Sequence, residues 1–107
     1  MVSRCLLLKL SLTQQARSDL ADIQAFTIER FGLEQWPIYQ KRINDALLRL
    51  RSSPMIGKQV EGLPATYRRY HLGRPKGAHL VYYKTDASEL LILRVVHDSR
   101  DQSGITW

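Results

Sequence analysis

Histidine is the side chain best suited to moving protons near neutrality, and this chain has three, His71, His79 and His97, one in each of three strand-like runs of its C-terminal half. The richest surroundings belong to His97. The stretch "LLILRVVHDSRD", residues 90–101, runs an apolar segment straight into His97, Asp98, Ser99, Arg100 and Asp101. An imidazole beside a carboxylate can serve as an oriented acid–base pair. Adjacent residues of an extended strand point to opposite faces, however, so His97 and Asp98 do not meet while the chain stays extended. Three imidazoles can bind zinc, but no ligand spacing joins these three, and no metal site is expected. The single cysteine, Cys5 in "RCLLLKL", excludes an intramolecular disulfide and a cysteine-based zinc site. It reads as a small buried hydrophobe rather than a nucleophile. No serine or cysteine stands in a nucleophile motif, and no cofactor is implied.

Phosphate chemistry is the second candidate. "GRPKG", residues 73–77, has two glycines and two bases, but a phosphate cradle needs a helix N-terminus after it and here a strand follows. It reads as a basic hairpin tip. Around it, Arg68, Arg69, Arg74, Lys76, Lys84, Arg94 and Arg100 are interleaved with Tyr67, Tyr70, Tyr82 and Tyr83. Arginine and tyrosine on a sheet face can hold phosphates and stack bases, or dock an acidic peptide. A solvated sheet edge with core tyrosines is the plainer alternative. The net charge of +6 over 107 residues favours a polyanion or an acidic partner, unless it serves only solubility. The excess lies mostly in the second half: +2 over residues 1–49 (seven Lys/Arg, five Asp/Glu) and +4 over residues 50–107 (nine against five).

The elements that must position these groups are legible in the hydrophobic period. Residues 4–12, "RCLLLKLSL", are short and apolar, a first strand. Thr13 suits an N-cap, and Ala16, Leu20, Ile23, Thr27 and Phe31 then recur as one stripe of a helix. Asp19, Asp22 and Glu29 lie off the stripe and are expected to face water. Gly32 stops that helix. A second helix carries Trp36, Tyr39, Ile43, Leu47 and Leu50 on one face, with Lys41, Arg42, Asp45 and Arg49 elsewhere and Pro37 in its first turn. It ends at Ser52-Ser53-Pro54, and the short connection around Gly32 makes the pair an antiparallel hairpin. Three runs of period near two follow, "TYRRYHL" (66–72), "AHLVYYKT" (78–85) and "ELLILRVV" (89–96), joined by short turns. The last is apolar almost throughout and is expected to be central, covered on both faces.

The predicted architecture is α+β, β-α-α-β-β-β, a helical hairpin on a mainly antiparallel four-stranded sheet. The length suits one domain over residues 1–107, with 102–107 a tail ending in Trp107. The apolar run Cys5–Leu8 is far too short for a signal-peptide core or a membrane span. The chain therefore reads as soluble and cytoplasmic.

In order and spacing, "LTQQARSDLADIQAFTIERFG", "RLRSSPMIGK", "YRRYHLGRPKGAHLVYY" and "LLILRVVHDSRD" together resemble the ParE branch of the RelE/ParE toxin superfamily, over about residues 9 to 101. The resemblance implies that superfamily's fold, which has the same element order. It implies the toxin half of a bacterial type II toxin–antitoxin pair that poisons DNA gyrase and is neutralised in a hetero-oligomer by a ParD-like antitoxin. Nucleic acid would then be met only within the target complex. On this reading Arg94, His97 and Arg100 are expected to meet the target, and Arg68, Arg69, Tyr70 and Arg74 an acidic amphipathic antitoxin segment. RelE-like relatives instead cut messenger RNA on the ribosome. That alternative would use Arg68, His79, His97 and Arg100 as phosphate clamp and acid–base groups. It is weakened because His79 stands about where that branch has a key arginine, and the C-terminal basic cluster followed by a tyrosine is missing. A toxin that has lost activity and only binds its antitoxin is the third reading.

Overall fold

The computed structural model describes residues 8–72 and 79–97. Strand β1 (Lys9–Leu12) leads into helix α1 (Gln14–Phe31) and helix α2 (Gln35–Ser52), followed by a 3₁₀ turn (Pro54–Ile56) and strands β2 (Lys58–Gln59), β3 (Tyr67–His71), β4 (His79–Thr85) and β5 (Glu89–His97). The sheet order is β1-β5-β4-β3-β2, parallel between β1 and β5 and antiparallel elsewhere. The predicted α+β order is thus present, with one addition. The two-residue edge strand β2 was not foreseen, because two residues carry no period. Residues 4–7 of the expected first strand, the "GRPKG" tip and everything after His97 lie outside the described residues.

Local chemistry explains the helix boundaries. Thr13 accepts a hydrogen bond from Ala16 N–H at its side-chain oxygen (3.0 Å), as an N-cap does. At the other end the Gly32 N–H makes the last helical hydrogen bond, to Ile28 O at 2.9 Å, and the φ of 97° at Gly32, open to glycine, then turns the chain out of the helix. The stripe holds through Thr27 and fails at Phe31, which is 65% exposed. Four-residue steps advance the stripe by about 40° each, and Phe31 has drifted about 60° from Ala16. On α2, Ile43, Leu47 and Leu50 are buried as expected, with Trp36 and Tyr39 packed at the margin.

Most of the core lies between the helices and the sheet, where Ala16, Ile23, Ile43, Leu47 and Leu50 meet Val81, Tyr83, Leu90, Ile92 and Val95. A smaller cluster, Leu80, Tyr82, Leu93 and Val96, packs with Val60, Tyr67 and Leu91. Alternation along β4 puts it on the opposite face. Strand β5 lies inside the sheet and is buried on both sides, hence its nearly unbroken apolar run.

A register shift sets Tyr82 opposite Arg94 and Tyr83 opposite Ile92, leaving Leu93 as an extra residue, a β-bulge. Beyond Ile92 strand β1 has ended, and the backbone of β5 finds partners on the start of α1 instead. Thr13 donates from its hydroxyl to Leu93 O (2.9 Å), and Val95 N–H donates to Asp19 Oδ2 (3.0 Å). A buried edge needs such partners.

Candidate functional site

Helix α2 turns Ile38, Arg42, Ala46 and Arg49 toward the margin of the sheet at helical spacing. Lys41 and Asp45 flank this row and bond each other at 2.9 Å. Opposite stand Tyr70 and Leu72, at the end of β3. Together these residues enclose an open groove of about 360 Å³. Its floor is apolar and its lining carries three cations against one carboxylate. Ile38 is 57% exposed, a large apolar side chain offered to solvent between charges. The Arg42 guanidinium lies 6.0 Å from the centre of the Tyr39 ring. Strand β2 pairs only with Arg68 and Arg69, so the β3 edge from Tyr70 onward has no strand beside it among the described residues.

A second hollow, of about 510 Å³, lies around the outer sheet edge, lined by Ile56, Lys58, Arg69, Tyr70, His71 and Leu80, with Gly57 at its rim. The segment entering β2 is held by a buried network. Gly57 N–H donates to the Tyr83 hydroxyl at 3.0 Å, and that hydroxyl donates to Pro54 O at 2.6 Å. Arg68 Nη1 donates to Gly57 O at 2.6 Å and to Met55 O at 3.4 Å. A side-chain carbon at position 57 would collide with the Tyr83 hydroxyl and the Arg69 carbonyl oxygen, so only glycine fits there. Burial of Tyr83 raises its phenol pKa, opposed by the Gly57 hydrogen bond and the Arg68 charge.

The residues singled out in the sequence do not form one constellation. Arg68 and Tyr70 project to the helix side of β3, and Arg69 to the other face. Arg68 is committed to the connection before β2, leaving Nε buried without a hydrogen-bond partner among the described residues. His79 is hydrogen bonded through Nδ1 to the Tyr39 hydroxyl at 2.6 Å, joining β4 to α2. His97 ends β5 and is paired in register with His79. Arg68 is opposite Tyr83, four residues along β4 from His79, or about 13 Å at strand rise. Arg74 and Arg100 lie outside the described residues.

Arg94 is held inside the molecule. Its Nε and Nη2 donate to Asp19 at 2.7 and 3.0 Å, and the two side chains are only 15% and 12% exposed. The hydrogen bond to Asp19 raises the Arg94 pKa further. Asp19 therefore does not face water, contrary to its place off the helix stripe. The bulged backbone of β5 and a cation needed it. Reasoning from the sequence also passed over Arg42, Arg49 and Lys58 as site residues. For the arginines a signal existed, since Ile38, Arg42 and Arg49 share one helix face. For Lys58 none did.

Among the described residues no group of three or more His, Cys, Asp or Glu side chains converges to hold a metal, and no helix is long and apolar enough to cross a membrane. A family described as "ParE toxin of type II toxin-antitoxin system, parDE" matches residues 10–102. Toxin ParE1 of Caulobacter vibrioides is 32% identical over 88 residues, 82% of this chain and 86% of that protein. Toxin ParE1 of Mycobacterium tuberculosis is 26% identical over 91 residues, 84% of this chain and 89% of that protein. Among solved structures, the chromosomal ParDE TA system from P. aeruginosa superposes with TM-score 0.69 at 17% identity, covering 85% of this chain and 96% of that one. The E. coli DinJ-YafQ toxin-antitoxin complex gives 0.61 at 13% identity, covering 87% and 94%. These last two are likenesses of fold.

Proposed function

The chain belongs to the ParE toxin family of type II toxin–antitoxin systems, and from that premise we propose that it is a binding poison of DNA gyrase, neutralised by a ParD-like antitoxin seated in the groove between α2 and β3. The groove is the observation that carries the reading. An apolar floor between Arg42, Arg49 and Lys41 complements an acidic amphipathic segment, which would bury its apolar side on Ile38, Ala46 and Leu72. The edge of β3 at Tyr70 also offers backbone groups to an added strand. Antitoxin contact thereby moves from Arg68, Arg69 and Arg74 to α2, with Tyr70 retained.

Binding rather than cleavage is supported by the posts that Arg68 and His79 occupy. One braces the connection before β2 and the other ties β4 to α2, about 13 Å apart along the strand. A phosphate clamp and an acid–base group would have to address the same phosphodiester. With Arg94 in its pair with Asp19, His97 and Arg100 remain as the proposed target contacts.

Purified protein is expected to lower supercoiling by DNA gyrase and to accumulate cleaved plasmid, with both effects abolished by a ParD-like antitoxin. Gyrase left untouched at micromolar excess would reject the reading. Codon-linked cuts in translated messages would replace it with ribosome-dependent cleavage.

A further inference from the structure

Strand β2 sets Lys58 directly opposite Arg69, in register on the outer edge of the sheet. Directly opposed side chains of antiparallel strands project to the same face with Cβ atoms about 5 Å apart, and like charges so placed are destabilising. Two residues later on the same face of β3 comes His71, about 7 Å along the strand. All three side chains are exposed, and none of the described residues lining the hollow they share is acidic. Further back on this strand face Tyr67 carries the Lys84 ammonium over its ring, 5.6 Å from the centroid.

Their placement is rigidly supported. The Tyr83 hydroxyl and the Arg68 guanidinium grip both backbone groups of Gly57, the residue immediately before Lys58. The repulsive pair is therefore held in place by neighbours and not by mutual attraction.

The geometry points to a phosphodiester-binding site on this edge, in which Lys58 and Arg69 share backbone phosphates of a single-stranded nucleic acid that runs past His71. A ligand of negative charge removes the repulsion that the register imposes, and a pair of cations so placed suits a run of phosphates. A nucleic acid fits better than an acidic peptide. A peptide draws most of its affinity from buried apolar anchors, and the hollow offers one substantially exposed aliphatic side chain, Ile56. This surface is on the opposite face of β3 from the α2 groove, and the assignment holds whether or not gyrase is the target.

Fluorescence anisotropy of labelled single-stranded DNA and RNA oligonucleotides, titrated with the full chain across a salt series, tests it. The K58Q/R69Q variant is expected to lose at least tenfold in affinity at low salt, and its slope of log K against log salt should flatten by about 1.4, two contacts at about 0.7 each. R17Q/R30Q on α1 removes the same charge and should bind as the parent does. K58E offers Arg69 a cross-strand partner, keeps the strand pair together and should abolish binding, so lost binding is separable from lost folding. Comparable affinity for the DNA and RNA oligonucleotides is expected of a phosphodiester site. The assignment is overturned if no binding is seen at low salt, or if R17Q/R30Q weakens it as much as K58Q/R69Q. It is likewise overturned if polyglutamate competes as well as the oligonucleotide, which would make the edge a carboxylate dock. Gyrase inhibition without oligonucleotide binding would reject this inference alone, and the converse would reject only the proposed target.

Discussion

Replacing Asp19 by alanine tests how the bulged strand is held. The substitution removes the acceptor of two Arg94 hydrogen bonds and of the Val95 N–H, at 2.7, 3.0 and 3.0 Å. Breaking a buried ion pair from one side costs about 3 to 5 kcal/mol, because the remaining charge loses the partner that offset its burial. Here both side chains keep a little exposure, 12% and 15%, so water recovers part of that. About 3 kcal/mol is the working figure for the ion pair, and the orphaned amide adds about 1 to 3 more. With a urea slope of about 1.5 kcal/mol/M, the unfolding midpoint should fall by at least about 2 M. Urea denaturation followed by circular dichroism reads this directly. Asp19→Asn should fall between, since its amide oxygen can still accept from Val95. The double replacement D19L/R94M should recover much of the loss, because with both charges gone only the Val95 N–H is left without its acceptor. A D19A midpoint within 0.5 M of the parent (about 0.75 kcal/mol), or a double variant as weak as the sum of the singles, would refute the reasoning. The result also decides how an R94A toxin should be read: as an unstable protein first.

Tyr83→Phe leaves the buried Gly57 amide without its acceptor and frees the half-buried Pro54 carbonyl, and should cost about 1 to 3 kcal/mol by chemical denaturation at neutral pH. Because burial raises the Tyr83 pKa, the folded state favours the neutral phenol; that stability is intact below about pH 10 and is lost as pH rises through the higher folded value, a limb Y83F should lack. Asp86 accepts from the Ser88 and Glu89 amides in the β4–β5 turn, which lowers its pKa, so its contribution is present above about pH 4 and fades as pH falls through the lower folded value. Thermal melts in acid should show a flatter decline for D86A than for the parent. Reversing charge with R42E/R49E should weaken binding of an acidic, amphipathic antitoxin segment at least tenfold by calorimetry, while R68E should unfold the β2 connection before it reports on binding.

The elements were legible because each is a local matter. The Thr13 cap, the Gly32 stop and the stripe from Ala16 to Thr27 are set by neighbours a few residues away. So is the change from a helical period to alternation after Pro54. The ordered set of patterns over about residues 9 to 101 also carried the family. The site was legible only as types. The basic and aromatic residues of β3 and β4 stood out, yet alternation sends Arg68 and Arg69 to opposite faces, and a two-residue strand supplies Lys58 without any signal of its own.

What the sequence determined by itself was therefore the list of helices and strands, their order, and an excess of basic residues concentrated in the second half of the chain. What the tertiary structure decided was which charges are already used. Asp19 meets Arg94 across 75 residues, Tyr39 meets His79 across 40, and Gly57 meets Tyr83 across 26. Those pairings depend on strand order, on the parallel return of β1 beside β5, and on one extra residue at Leu93 that re-aims the end of the strand. A hydrophobic period says which face of an element is covered, but a contact between two elements depends on their register, and register is settled only when the whole sheet assembles.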